Sequence, residues 1–231
     1  MRLLKYCLAF FIAAFSLCAK AQMEVTVSGK ILPPGCHAGF DGGADLNWGA
    51  IQWNSLHATE MTTLEAKQVK LNVQCPNGTK VGMAFWIGAD PNQASALPGP
   101  DTPSPNQSKN HSLPEAIFGL GNDPVTQIKI GNFTIVGVDS SYDGAVSKAV
   151  YGVVADATRS STKFSAISMG YPMYREVVDW TVWDETAGKP ALAAIHTFTF
   201  KVEPQLNARS KLTASQEISF AGAAQFNVRY F

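Results

Sequence analysis

Apolar and polar residues alternate along most of this chain. Val25, Val27, Gly29 and Ile31 are interleaved with Glu24, Thr26, Ser28 and Lys30. Val69, Leu71, Val73 and Cys75 alternate with Lys70, Asn72 and Gln74, and the turn-forming run Pro76-Asn77-Gly78 follows. A period of two is the mark of a half-buried strand, and Asn-Gly tolerates the positive φ of a tight turn. Val81 to Ile87 reads as the next strand. Further strands are expected at 127–138, 149–155 and 177–183, around Phe198, Phe200 and Val202, and over 218–230. Residues 62–67 have room for one helical turn. No segment carries a sustained 3.6-residue apolar period. Short strands separated by Gly, Pro and Asn turns predict an all-β sandwich or barrel.

Residues 90–114 break the pattern. This stretch holds six prolines with Ser, Asn and Gln and almost no large apolar side chain, and it reads as a surface loop.

The first 21 residues read as a secretory signal peptide. Arg2 and Lys5 precede an apolar run from Leu8 to Leu17, and Ala19-Lys20-Ala21 is a small-x-small cleavage site. The run falls short of the about 20 apolar residues a membrane span requires. The full chain has 18 basic and 18 acidic residues. Loss of Arg2, Lys5 and Lys20 leaves a net charge of about −3, which argues against a nucleic-acid partner. Cys7 and Cys18 leave with the leader, so Cys36 and Cys75 remain. In an exported chain such an even pair reads as a disulfide, and a closed loop of about 40 residues contributes roughly 4 kcal/mol.

Catalytic and metal signals are weak. Asp139 to Gly144 imitates the first half of a calcium loop, but Val150 stands where the bidentate Glu belongs. His37, His57, His111 and His196 lack ligand spacing, so solvated or capping roles are expected. No nucleophile elbow, P-loop or paired-carboxylate pattern is present, so no enzymatic activity, cofactor or metal is expected. Trp48, Trp53, Trp86, Trp180 and Trp183 could stack on sugar rings, although in strand-rich sequence a Trp is more often part of the core.

The C-terminus is the most specific feature. Ile218, Phe220, Gly222, Ala224, Phe226, Val228 and Tyr230 occupy every second position to the penultimate residue. Such a strand either pairs within its own sheet or offers an edge for another chain. If it is a strand, Phe226, Val228 and Tyr230 share the apolar face and Gln225, Asn227 and Arg229 the opposite one.

The end "FAGAAQFNVRYF" resembles the C-terminal signature of chaperone–usher pilins, with Tyr230 as its penultimate aromatic and Gly222 as its upstream glycine. "VTVSGKILPPGC" is similar to the pilin first strand that ends in a cysteine, and "VKLNVQC" to the second. "LNWGAI", "FGLGNDPVTQIKIGNFTI" and "HTFTFKVEPQLN" resemble a less studied β-fimbrial branch known as a domain of unknown function. The resemblance implies an Ig-like β-sandwich that lacks its last strand, over residues 29–231. Residues 22–28 would be an N-terminal extension, shorter than in common major pilins. Met23, Val25 and Val27, with Gly29, would be the donor strand, and the seven alternating C-terminal residues would be the chaperone and assembly strand. The implied partners are a periplasmic chaperone, an outer-membrane usher and neighbouring fimbrial subunits. The implied location is a surface fimbrium reached through the periplasm. The rival expectation is a fimbrial tip adhesin that binds a host glycan or surface.

Overall fold

The computed structural model describes residues 35–89, 116–147, 149–154, 164–168, 172–175 and 178–231, all within the unit Pro34–Phe231. The expected leader, the expected donor residues Met23, Val25, Val27 and Gly29, and the Pro-rich stretch 90–114 lie outside the described residues. The described chain is all-β, with thirteen strands and three short 3-10 turns. The strands are β1 (His37–Phe40), β2 (Thr62–Thr63), β3 (Lys67–Gln74), β4 (Met83–Ala89), β5 (Ile117–Gly119), β6 (Gly131–Tyr142), β7 (Ala145–Ser147), β8 (Ala149–Val154), β9 (Phe164–Ser168), β10 (Val178–Asp184), β11 (Lys189–Pro190), β12 (Ile195–Leu206) and β13 (Ala224–Tyr230).

Two antiparallel sheets make a β-sandwich. Sheet 1 has the order β1-β3-β12-β6-β5, with β2 on β12 and β7 on β6. Sheet 2 has the order β13-β4-β10-β8-β9, with β11 on β10. The period-two expectation explains β3 and most of β12 in sheet 1, whereas β5 and the first half of β6 are buried on both faces. Val69, Leu71 and Val73 of β3 and Phe198, Phe200 and Val202 of β12 all point into the core. They meet Phe85 of β4, whose ring lies 4.8 Å from Phe198 and 5.7 Å from Phe200, both edge-on. Each buried side chain of this size contributes about 1.5–3 kcal/mol of transfer free energy, so this contact is a main tie between the sheets.

In sheet 2 the half-buried expectation fails. β10 is buried from Val178 to Val182, Asp179 and Thr181 included, and Ala84 of β4 is fully buried. The polar members are satisfied within the protein. Thr181 Oγ1 donates to the Met83 carbonyl at 2.6 Å, and Asp179 accepts from Arg229 Nη2 at 2.9 Å and Nε at 3.0 Å.

Local expectations meet mixed outcomes. Pro76–Gly78 turns as expected, with Asn77 at φ 54° and Gly78 at φ 69°. Residues 62–67 form no helical turn. Leu64 N–H donates to the Pro204 carbonyl and Gln205 Nε2 to Thr63 Oγ1, which recruits the segment to sheet 1 as β2. The strand expected from 127 starts at Gly131, because Gln127, at φ 62°, closes a turn by donating to the Asp123 carbonyl. The calcium-like run is a hairpin, with Asp143 and Gly144 at φ 46° and 81° between β6 and β7. The Asp143 carboxylate accepts from the Ala194 and Ile195 N–H groups. Among the described residues no cluster of potential metal ligands exists.

One histidine departs from its expected solvated role. His196 is fully buried on β12, and its Nε2–H donates to the Val81 carbonyl at 3.0 Å. Burial pushes its pKa below the ordinary histidine value, against the smaller opposing effects of backbone carbonyls and Asp143, so the ring is neutral.

Cys36 and Cys75 are joined. They extend the β1–β3 ladder by one rung beyond His37↔Gln74, so sheet pairing itself brings the two sulfurs together. Replacing both cysteines by serine removes a constraint of about 4 kcal/mol on the unfolded chain. Urea unfolding of the double variant should show a loss of that order, and non-reducing peptide mapping of the native protein should recover the linked pair.

Candidate functional site: an open strand edge over an apolar groove

The last strand carries a geometry that backbone pairing alone dictates. β13 lies antiparallel to β4, with Ala224 opposite Ala89 and Tyr230 opposite Met83. Just past its end, Phe231 and Gly82 exchange both backbone hydrogen bonds at 2.9 Å. In an antiparallel ladder such mutual pairs recur at every second residue. Arg229, Asn227 and Gln225 therefore also aim their N–H and C=O groups at β4. Ala224, Phe226, Val228 and Tyr230 aim theirs away from it. Among the described residues β13 has no second neighbour. The even residues thus form an open edge.

The same even residues turn their side chains inward. Phe226 stands between the two sheets, its ring 5.1 Å from Phe40 of β1, 5.7 Å from Phe85 of β4 and 5.3 Å from Phe200 of β12. Val228 and Tyr230 pack on the same core. Tyr230 Oη donates to the Cys36 carbonyl at 3.4 Å, tying the strand's end to sheet 1, and burial raises the phenol's pKa. On the other face Gln225 is exposed and Arg229 holds Asp179.

Below this edge lies a groove of about 1050 Å³. Its floor is the inner face of sheet 1 at the end away from the disulfide, with Val69, Phe133, Ile135, Val202 and Leu206. One wall is residues 44–53, which contribute Leu46, Trp48, Ile51 and Trp53. The other is residues 216–226, with Ile218 and Phe220. These six wall side chains are half-buried and touch the core.

Each wall is anchored. Trp48 Nε1 donates to the Glu65 carbonyl at 2.8 Å. Lys67 Nζ donates to the Asn47 carbonyl and lies 5.2 Å from the centre of the Trp48 ring. The second wall begins at a buried carboxylate. Asp123 accepts from the N–H groups of Val125, Thr126 and Thr213 at 2.8, 3.1 and 2.7 Å, and from the Thr213 hydroxyl at 3.2 Å. Burial alone would push this carboxyl up. The N–H groups of Thr126, Val125 and Thr213 and the Thr213 hydroxyl together outweigh it and lower the pKa from 3.8 to about 2. Ala221 N–H then donates to the Leu120 carbonyl at 3.3 Å. At Gly222 a Cβ would stand 2.4 Å from the Gly119 carbonyl oxygen and 2.7 Å from Phe133 Cε1, so only glycine lets the chain pass this close.

Of the sequence-predicted residues, Ala224, Phe226, Val228 and Tyr230 lie in the paired strand. Ile218, Phe220 and Gly222 precede it and form the groove wall. Among the described residues the ladder starts at Ala224, opposite Ala89. Trp180 belongs to the core, while Trp48 and Trp53 line the groove. Apart from Trp48 and Trp53, singled out as possible sugar-stacking residues, the wall 44–53 and the Asp123 anchor were not expected as site elements. The first has no regular period. For the second, the signal is the Asn122-Asp123-Pro124 turn sequence.

Among the described residues these features define a β-sandwich whose C-terminal strand lies at one end of its sheet, beside a groove lined by core residues. Over residues 25–134 the chain is similar to a family described as "Protein of unknown function (DUF1120)". That match takes in the disulfide, the wall 44–53 and strands β1–β5, and ends within β6. No curated protein matches the chain.

Two outcomes test the second wall. Gly222→Ala should cost about 1–3 kcal/mol by overpacking, whereas Gly35→Ala, where a Cβ would meet nothing within 4 Å, should leave the urea midpoint unchanged. Asp123→Asn should destabilise the protein near neutral pH. A depressed carboxylate pKa gives stability that is present above the unfolded value and lost as pH falls through the folded one. The gap between wild type and variant should therefore close between about pH 4 and pH 2 in acid unfolding curves.

Proposed function

We propose that this protein is a structural subunit of a chaperone–usher fimbria, which polymerises by accepting a strand from a neighbouring subunit. The observation that supports this reading is the coincidence on β13 of an open backbone edge and an inward apolar face, directly above an unfilled groove. A strand laid along that edge would pair with the backbone groups of the even residues and cover the half-buried Leu46, Ile51 and Phe220 in one step. The C-terminal resemblance to pilins, the Cys36–Cys75 disulfide and the leader-like first 21 residues support the same assignment. A periplasmic chaperone would occupy the groove first and a neighbouring subunit would then replace it at an outer-membrane usher. Met23, Val25 and Val27, with Gly29, would be the strand this subunit gives in turn.

The test is stabilisation by an added strand. A peptide of alternating apolar residues, supplied in trans at a hundredfold excess over its Kd or fused after Phe231, should raise Tm by about 5–10 °C. A stable monomer whose Tm ignores such a peptide would end this reading in favour of a self-contained binding domain. Tyr230→Asp places a charge in a half-buried apolar site at a cost of several kcal/mol and should abolish periplasmic accumulation through a chaperone.

A further inference from the structure

We infer that the buried ring of His196 is an acid-sensitive latch, which holds the start of β12 against the stretch leading into β4 only while the ring is uncharged. The latch belongs to the sandwich itself and does not depend on an outside strand.

Residues 193–196 are where sheet 1 is tied to the entry of sheet 2. Val81 and Ala193 exchange both backbone hydrogen bonds, at 3.0 and 3.1 Å. Cys75 N–H donates to the Ala194 carbonyl at 2.8 Å. The Asp143 carboxylate accepts from the Ala194 and Ile195 N–H groups, both at 2.9 Å. His196 adds a side-chain bond at the same place. Its Nε2–H donates at 3.0 Å to the Val81 carbonyl, which already accepts from Ala193. The next residue, Gly82, is paired through both backbone groups with Phe231. The end of β13 therefore hangs on the stretch that His196 holds.

The other ring nitrogen makes the latch conditional. Nδ1 is buried and has no hydrogen-bond partner, in a residue only 1 % exposed. Protonation would put a second N–H and a positive charge where no acceptor stands. A buried donor left unpaired costs its desolvation, and a charged one costs more. The neighbours give little relief. Val73, opposite on β3, is apolar, and Cys75 and Cys36 are held in the disulfide. Tyr142, opposite on β6, and Tyr230, bonded to the Cys36 carbonyl, are phenols, which carry no charge in acid. Asp143 supplies the one attractive charge, and it is shared with Lys80, whose Nζ lies 3.3 Å away. Burial pushes the Asp143 carboxyl up, but the Ile195 N–H, Lys80 and the Ala194 N–H outweigh it and hold the pKa below the usual carboxylate value. For His196, burial prevails over the Val81 and Ala193 carbonyls and the Asp143 charge, so its pKa lies below the ordinary 6.5.

A histidine of lowered pKa gives stability that is whole above its unfolded value of about 6.5 and is lost as pH falls below it. An opened pole, with the ring in water, gains about tenfold in population for each pH unit below that value until the folded ring titrates. Opening one pole costs less than unfolding the whole domain.

Amide exchange followed by NMR on the purified protein at about pH 7.5 and about pH 5 tests this, with wild type compared to His196→Gln. Gln keeps an N–H donor for Val81 but takes up no proton. Protection is expressed relative to the intrinsic exchange rate at each pH. In the wild type, the Val81, Gly82, Ala193 and Phe231 amides should lose about tenfold in protection at the lower pH. Ile130 and Asn207, which donate to the Gly121 and Ile130 carbonyls at the other end of the sandwich, should keep theirs. His196→Gln should lose none at either end. A loss shared equally by Ile130 and Asn207 would mean that His196 acts on the whole fold, and would overturn the latch. The same loss in the Gln variant would assign the effect to another group and overturn it too. If the variant does not fold, nitrogen shifts of the wild-type imidazole decide. Titration below 6.5 in step with the loss at Val81 and Ala193 supports the latch, and titration near 6.5 with those amides still protected refutes it.

Discussion

A β-strand has two edges, and among the described residues β13 pairs along only one of them. Antiparallel geometry makes the consequence specific. The residues whose backbone groups face the open side are the ones whose side chains face the core. Completing the sheet and completing the core are then a single event, and one extended chain can do both. A sandwich with a closed edge would have no such opening, and one with a polar inner face would gain little from filling it.

The rest of the fold keeps that opening in place by making the two ends of the sandwich unlike. At one end the Cys36–Cys75 bond ties β1 to β3 within sheet 1, and the Tyr230 hydroxyl on the Cys36 carbonyl and the buried His196 on the Val81 carbonyl draw the sheets together. At the other, the inner face of sheet 1 is left between two walls, each held from its outer side. Trp48 and Lys67 fix the first, and Asp123 and Gly222 the second. Phe226 stands at the junction, with rings of β1, β4 and β12 around it. Collapse of either wall would bring apolar side chains into the groove and remove the reason for an outside strand.

The carboxylates with lowered pKa or deep burial serve this framework. Asp123 gathers N–H groups at the start of a wall, Asp143 closes the β6–β7 hairpin against the start of β12, and Asp179 is bound by Arg229 on the outer face of sheet 2. Each carboxylate accepts from donors that the local chain or a neighbouring strand already presents. The groove lining is consequently made of peptide backbone and apolar side chains, with two acidic residues, Asp45 and Glu217.

The alternation of side chains alone determined the all-β class, the inward faces of β3 and β12, the turn at Asn77-Gly78 and the phase of the C-terminal residues. These are local properties, because a period of two fixes which residues share a face wherever the strand is placed. The pair Cys36 and Cys75, each at the end of an alternating segment, sufficed to suggest the disulfide. Only the tertiary structure decided where β13 sits in its sheet, since edge and centre positions have the same sequence period. It also decided that β10 is buried on both faces, that residues 62–67 join sheet 1 rather than coil, and that His196 is inside. Each depends on neighbours distant in the chain. The groove is the clearest case: its floor, its two walls and the Asp123 anchor come from five separate stretches of sequence. Only the packing of the two sheets brings them together and leaves the space between them open.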